Sequence, residues 1–107
     1  MITIEKGSGN VYADLGIPNA AEMQVKARLA TKISAIIKSR RLTQQKAAEV
    51  LGISQPKLSG MLRGQFRGIS ESKMLGCLNN LGQDVEIVVH KARPSRTRLG
   101  HTSVVFA

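Results

Sequence analysis

Eight side chains between positions 44 and 67 form the part of this chain best equipped for chemistry: Gln44, Lys46, Gln55, Lys57, Ser59, Arg63, Gln65 and Arg67. Amide, hydroxyl, ammonium and guanidinium groups donate hydrogen bonds, and the amides and the hydroxyl also accept them. None of the eight is a nucleophile with a base beside it, so this is chemistry of recognition and not of bond breaking. Gln55 can pair in bidentate fashion with an adenine edge, and Lys57 can reach the O6 and N7 of guanine. Ser59 suits either base. Arg63, Gln65 and Arg67 fall in the basic, Gly-rich stretch Arg63–Gly68 and suit phosphate oxygens, as does Lys46, with Arg41 a weaker choice.

The groups that could support catalysis are scattered. Seven carboxylates occur in the chain, with no close pair placed for acid–base work. His90 and His101 lack Cys or acidic neighbours at metal-ligand spacing. The single cysteine, Cys77, sits in an apolar helical pattern, reads as a small core residue, and excludes an internal disulfide. These features predict no enzymatic activity, no cofactor and no metal. Three aromatic residues, Tyr12, Phe66 and Phe106, leave little for base stacking and argue against single-stranded RNA.

The elements that must position the polar groups follow from local pattern. Thr43 opens a short helix, about Gln44 to Leu51, with Ala47, Ala48 and Leu51 facing inward. Gly52 supplies the residue type that turns the chain in a left-handed conformation, with Ile53 beneath the turn. Ser54 caps a second short helix, about Gln55 to Leu62, and tolerates Pro56 in its first turn. Leu58, Met61 and Leu62 turn one side of that helix inward, which leaves Gln55, Lys57, Ser59 and Arg63 outside. Two short helices joined at a glycine turn in this way read as a helix-turn-helix, a device for setting the second helix in the major groove of DNA.

Charge points the same way. The net charge is +9, and between Lys26 and Arg67 ten basic residues stand against one acid, Glu49. A surface that positive calls for a polyanion, and the phosphate backbone is the usual one. No apolar stretch approaches the roughly 20 residues of a spanning helix, and the N-terminus lacks a signal segment, so no membrane partner and a cytoplasmic location are expected.

Around the motif, a chain of 107 residues accommodates one domain with flanking segments. Residues 1–20 read as an N-terminal arm, with a short turn of helix near Tyr12 to Leu15. Asn19 is placed to cap a long helix from about Ala20 to Arg40, with Met23, Leu29, Ile33, Ile36 and Ile37 inside and Lys26, Lys32 and Lys38 outside. Ser70 caps a further helix, about Glu71 to Leu81, with Met74, Leu75, Leu78 and Leu81 inside and Gly82 at its end. The domain thus runs over residues 21–82. Residues 83–91 then change character: Val85-Glu86-Ile87-Val88-Val89-His90 is β-branched and roughly alternating, and reads as a strand. A lone strand needs a partner for its backbone groups, either the arm at Ile2-Thr3-Ile4 or the same strand of a second subunit. Residues 92–107, with Arg93, Pro94, Ser95, Arg96 and Arg98, read as a flexible basic tail.

The motif and its flanks over residues 21–82 resemble the Xre/Cro-like helix-turn-helix family. The resemblance implies a mostly α fold, a lambda-repressor-like bundle, here with one C-terminal β-strand for pairing in a dimer. Tyr12-Ala13-Asp14-Leu15-Gly16, Ala21, Leu42 to Ala48, Leu58-Ser59 and Arg63-Gly64 look like a subgroup that contains HigA-like antitoxins and their Xre relatives. By that resemblance Gln44 bonds a phosphate and braces Gln55. The base-reading positions fall on Gln55, Pro56, Lys57 and Gly60, with Ser59 beside them; Pro56 and Gly60 offer no side-chain donor.

Two functions follow. The first is a sequence-specific transcriptional regulator, a repressor that reads a palindromic operator in double-stranded DNA as a homodimer. The second is an antitoxin whose main role is to bind and neutralise a RelE/HigB-like toxin, a small basic ribonuclease, while repressing its own operon. Like charge opposes that second pairing, except at Glu5, Asp14 and Glu22 near the N-terminus.

Overall fold

The structure, a computed structural model, describes residues 2–3, 20–92 and 100–107. It contains four helices, α1 (Ala20–Ser39), α2 (Gln44–Leu51), α3 (Gln55–Leu62) and α4 (Glu71–Asn80), and two short strands, β1 (Ile2–Thr3) and β2 (Val105–Phe106). The chain divides into two units, one made of Met1–Val25 with Glu86–Ala107 and the other of Lys26–Val85. The expected helical turn near Tyr12, the cap at Asn19 and the basic cluster Arg93 to Arg98 lie outside the described residues.

The Lys26–Val85 unit is a helical bundle around Leu29, Ile33, Leu51, Leu58, Met61, Met74, Cys77 and Leu81, all buried. Its local geometry is set by hydroxyl caps. Thr43 Oγ1 accepts from the Lys46 N–H at 3.1 Å, Ser54 Oγ from Lys57 at 3.3 Å and Ser70 Oγ from Lys73 at 3.0 Å. Each cap satisfies a backbone donor that the first turn leaves without a carbonyl. Gly52 ends α2 at φ +70°, where its N–H donates to Ala48 and the following Ile53 N–H does the same. That turn is the joint of the helix-turn-helix, and Ile53 beneath it is half-buried.

Two expectations change. Lys26 is buried at 3% exposure, where an outward position was expected, because 23, 26, 30, 33 and 37 form one stripe on α1 at helical spacing. Ile36 and Leu75, expected inside, are half-buried. Phe66 and Ile69 are buried at 3% and 6%, so the Gly-rich loop after α3 is anchored at two points.

The other unit carries the larger correction. Among the described residues Val85–His90 belongs to no strand; instead the pairing is antiparallel between Ile2–Thr3 and Val105–Phe106, with Ile2 opposite Phe106 and Thr3 opposite Val105. The C-terminal strand therefore lies at the end of the segment expected to be a free tail. Strands exist only as pairs, and the partner chosen by the arm is β2. Ile87, Val88 and Val89 are left 77%, 70% and 90% exposed.

Candidate nucleic-acid interface

Helix α3 presents the predicted reading surface. Gln55, Pro56 and Lys57 are exposed in its first turn, Ser59 is half-buried, and Leu58, Gly60 and Met61 are buried. Their placement follows from two packing demands. Leu58 and Met61, 0% and 1% exposed, fix which way the helix rolls, and the Ser54 cap fixes where it begins. The polar residues between them have only the outer side to occupy.

At the far end of α3 the polar groups are braced against one another. Arg63 Nη1 donates to Ser59 Oγ at 3.1 Å, and its Nη2 lies 3.5 Å from Gln65 Oε1. The Gln65 N–H donates to the Gly60 carbonyl at 2.8 Å. A Cβ built at Gly60 would lie in ordinary contact with Gln65, 3.5 Å from its Oε1 and 3.7 Å from its Cβ, so Gln65 packs directly over this position. Gly64, at φ +91°, reverses the chain between the two braced side chains. A guanidinium held on two sides keeps its remaining N–H groups pointed outward at little entropic cost.

Behind this arrangement lies Lys26. Its Nζ donates to the Arg67 carbonyl at 2.9 Å, which ties α1 to the stretch that carries Arg63, Gln65 and Arg67. The Arg67 side chain itself is exposed. Sequence reasoning missed Lys26 because charge was taken as a mark of the outer face; its position in the 23–26–30–33–37 stripe is the signal that locates it. On the opposite flank Arg40 Nη2 donates to the Leu81 carbonyl, and Asn80 Nδ2 donates to the Leu51 carbonyl at 3.4 Å.

The helix α2 side is simpler. Gln44 is exposed at its first position, as is Gln55, and among the described residues no hydrogen bond joins the two, so the brace implied by resemblance is not formed in the free chain. Lys46 Nζ lies 3.6 Å from Glu49 Oε2, with both side chains more than 60% exposed. Such a surface pair is worth about 0–1 kcal/mol and yields readily to a phosphate. Arg41 is exposed and adopts φ 55°, which closes the C-terminus of α1. The eight predicted residues thus separate into a reading turn, a braced exit from α3 and the start of α2.

Burial pushes the Cys77 thiol up, with the nearby Lys73 charge working weakly against it, which suits an inert core residue. Among the described residues no three His, Cys, Asp or Glu side chains are grouped to hold a metal ion, and no helix is long and apolar enough to cross a membrane.

Comparison with known proteins agrees with this geometry. The profile of a family described as a helix-turn-helix domain matches residues 11–90. A solved structure described as an XRE family transcriptional regulator is 44% identical, with a TM-score of 0.76 over 84% of this chain and 100% of that one. No curated protein matches the chain. A mostly helical bundle, a glycine-jointed helix pair with its polar side outward, and a match over most of the sequence have one reading: the chain belongs to the XRE-like helix-turn-helix family.

Proposed function

We propose that this chain is a DNA-binding transcriptional regulator that represses by occupying a palindromic operator as a homodimer. The observation that carries the reading is the exposed first turn of α3, with Gln55 and Lys57 outward, followed directly by the braced Arg63. Gln55 and Lys57 read bases, with Ser59 beside them. Gln44, Lys46, Arg63, Gln65 and Arg67 hold phosphates and fix the angle at which α3 enters the major groove. Two-fold symmetry places the second α3 one helical turn away, ~34–36 Å along the duplex. Repression is steric, because a dimer seated on a promoter excludes polymerase.

Fluorescence anisotropy tests the reading, with the DNA immediately upstream of the gene against a scrambled duplex at about 150 mM salt. That salt suppresses generic electrostatic attraction. A preference of ~10³ or more supports operator binding, whereas equal weak binding removes it. In the same assay Gln55→Ala lowers affinity for the operator by about 1–3 kcal/mol and relaxes base preference. Equal losses on both duplexes would remove the base-reading role of Gln55. Failure of DNA preference, together with a neighbouring gene for a small basic ribonuclease, would favour the antitoxin reading instead.

A further inference from the structure

In the first turn of α3 the middle of the outer side is apolar. At about 100° per residue, Gln55 and Lys57 stand to either side of Pro56, and the buried Leu58 lies about 160° round the helix from it. One turn further along the same line comes Gly60, which is buried under Gln65. The Gln65 amide oxygen is itself turned to Arg63 Nη2, at 3.5 Å. An exposed pyrrolidine ring thus occupies the centre of a surface whose rim is amide, ammonium and guanidinium. Two hydrogen-bonding readers flank a wedge that can read nothing by hydrogen bonds.

Base edges in the major groove present donors and acceptors at every pair, and one kind of apolar group, the C5 methyl of thymine. A ring that enters the groove at this point covers whatever lies opposite it. Over a cytosine amino group or a guanine O6 it displaces water and offers no partner, which is costly. Over a thymine methyl it takes apolar surface out of water on both sides, which is favourable. Gln55 bears on the same spot, because its bidentate partner is adenine, whose pairing partner carries that methyl. The ring also loses little freedom on binding. Its torsion is closed by the pyrrolidine, and the Ser54 cap, which accepts from the Lys57 N–H at 3.3 Å, fixes its place on the helix.

We propose that Pro56 is a base-reading residue: its ring packs on the C5 methyl of a thymine in each half-site and selects that base without a hydrogen bond. The inference rests on the DNA-reading role of α3 above and adds one contact to it. Helix initiation, the ordinary role of a proline in a first turn, accounts for the residue in the free chain and asks nothing of the base beneath it.

The test is fluorescence anisotropy at about 150 mM salt with the DNA immediately upstream of the gene in two forms, one with thymine and one with deoxyuridine in its place. Uracil keeps the hydrogen-bonding edge of thymine and lacks only the methyl group. The wild type is expected to bind the uracil form about fourfold less tightly per half-site, the worth of one buried methyl group. Exchanging thymines one at a time then places that loss at one position in each half-site. Pro56→Ser is expected to bind the two forms alike, with the helical circular dichroism of the wild type. Pro56→Ala, which suits the helix and keeps one methyl group, serves as the second variant and is expected to show a smaller loss than the wild type. Equal binding of both forms by the wild type, or an undiminished loss in the two variants, would overturn the proposal. A protein that prefers the upstream duplex to a scrambled one yet ignores its methyl groups overturns this contact and leaves the reading role of α3 standing. Absence of that preference removes both.

Discussion

Lys26 shows how one buried ammonium can serve a surface it never reaches. Its Nζ donates to the Arg67 carbonyl at 2.9 Å, and the side chain is 3% exposed. Lys26→Met would keep the apolar stem and leave that carbonyl without its donor, a loss of about 1–3 kcal/mol in urea unfolding. DNA binding adds a separate readout. Loosening the stretch 63–67 weakens operator and scrambled DNA by the same factor, whereas loss of Gln55 weakens the operator more and narrows the preference between them. Ser59 has a comparable double role. Its oxygen accepts from Arg63, so Ser59→Ala is expected to weaken phosphate contact more than base preference, as measured by anisotropy on both duplexes. The reading turn was legible in the sequence because Leu58 and Met61 fix the orientation of α3, and Gln55 and Lys57 can only lie outside. The brace around Arg63 was not legible, because it depends on Gly64 reversing the chain so that Gln65 returns to Gly60.

At the scale of elements, the caps and the glycine joint were readable because each is a local bargain between one side chain and the backbone beside it. Thr43, Ser54 and Ser70 each accept from the residue three positions on, as residue type and position alone require. Thr43→Ala is expected to lower stability by about 1 kcal/mol in thermal or urea unfolding. The end of α1 is a different case. Arg41 holds φ 55°, with its N–H on the Lys38 carbonyl and the Leu42 N–H on the Ile37 carbonyl. A left-handed residue at that position favours glycine, so Arg41→Gly is expected to raise stability by about 1 kcal/mol. A fall in the urea midpoint would show that the arginine side chain contributes more than its backbone strain removes. The strand at 85–90 was misplaced for the converse reason: pairing is a non-local choice, and alternation in sequence names a candidate without naming its partner.

At the scale of the whole molecule, a net charge of +9 makes binding steeply dependent on salt. Each phosphate neutralised adds about 0.9 to the slope of log affinity against log salt. Arg63→Ala is therefore expected to weaken all duplexes alike and to lower that slope by about one unit per subunit, read by repeating the anisotropy at several salt concentrations. An unchanged slope would place Arg63 away from the phosphates. Overall charge was fully legible in the sequence, and so was the class of polyanion it calls for. The division into units was not, because the pairing of Ile2–Thr3 with Val105–Phe106 joins segments about a hundred residues apart through two residues each.

The two bonds that flank the motif also bear on how the bundle assembles in time. Lys26 with Arg67 and Arg40 with Leu81 each join positions 41 residues apart, while α2 and α3 meet across a turn of three residues, Gly52 to Ser54. Local helix pairs form early because they close short loops, and contacts across long loops arrive after most of the entropy has been lost. The reading helices are thus expected to dock with each other before α1 is fastened over them. On that order, Lys26→Met leaves the folding limb of a chevron plot nearly unmoved and steepens escape from the native state, so its destabilisation is seen almost entirely as faster unfolding.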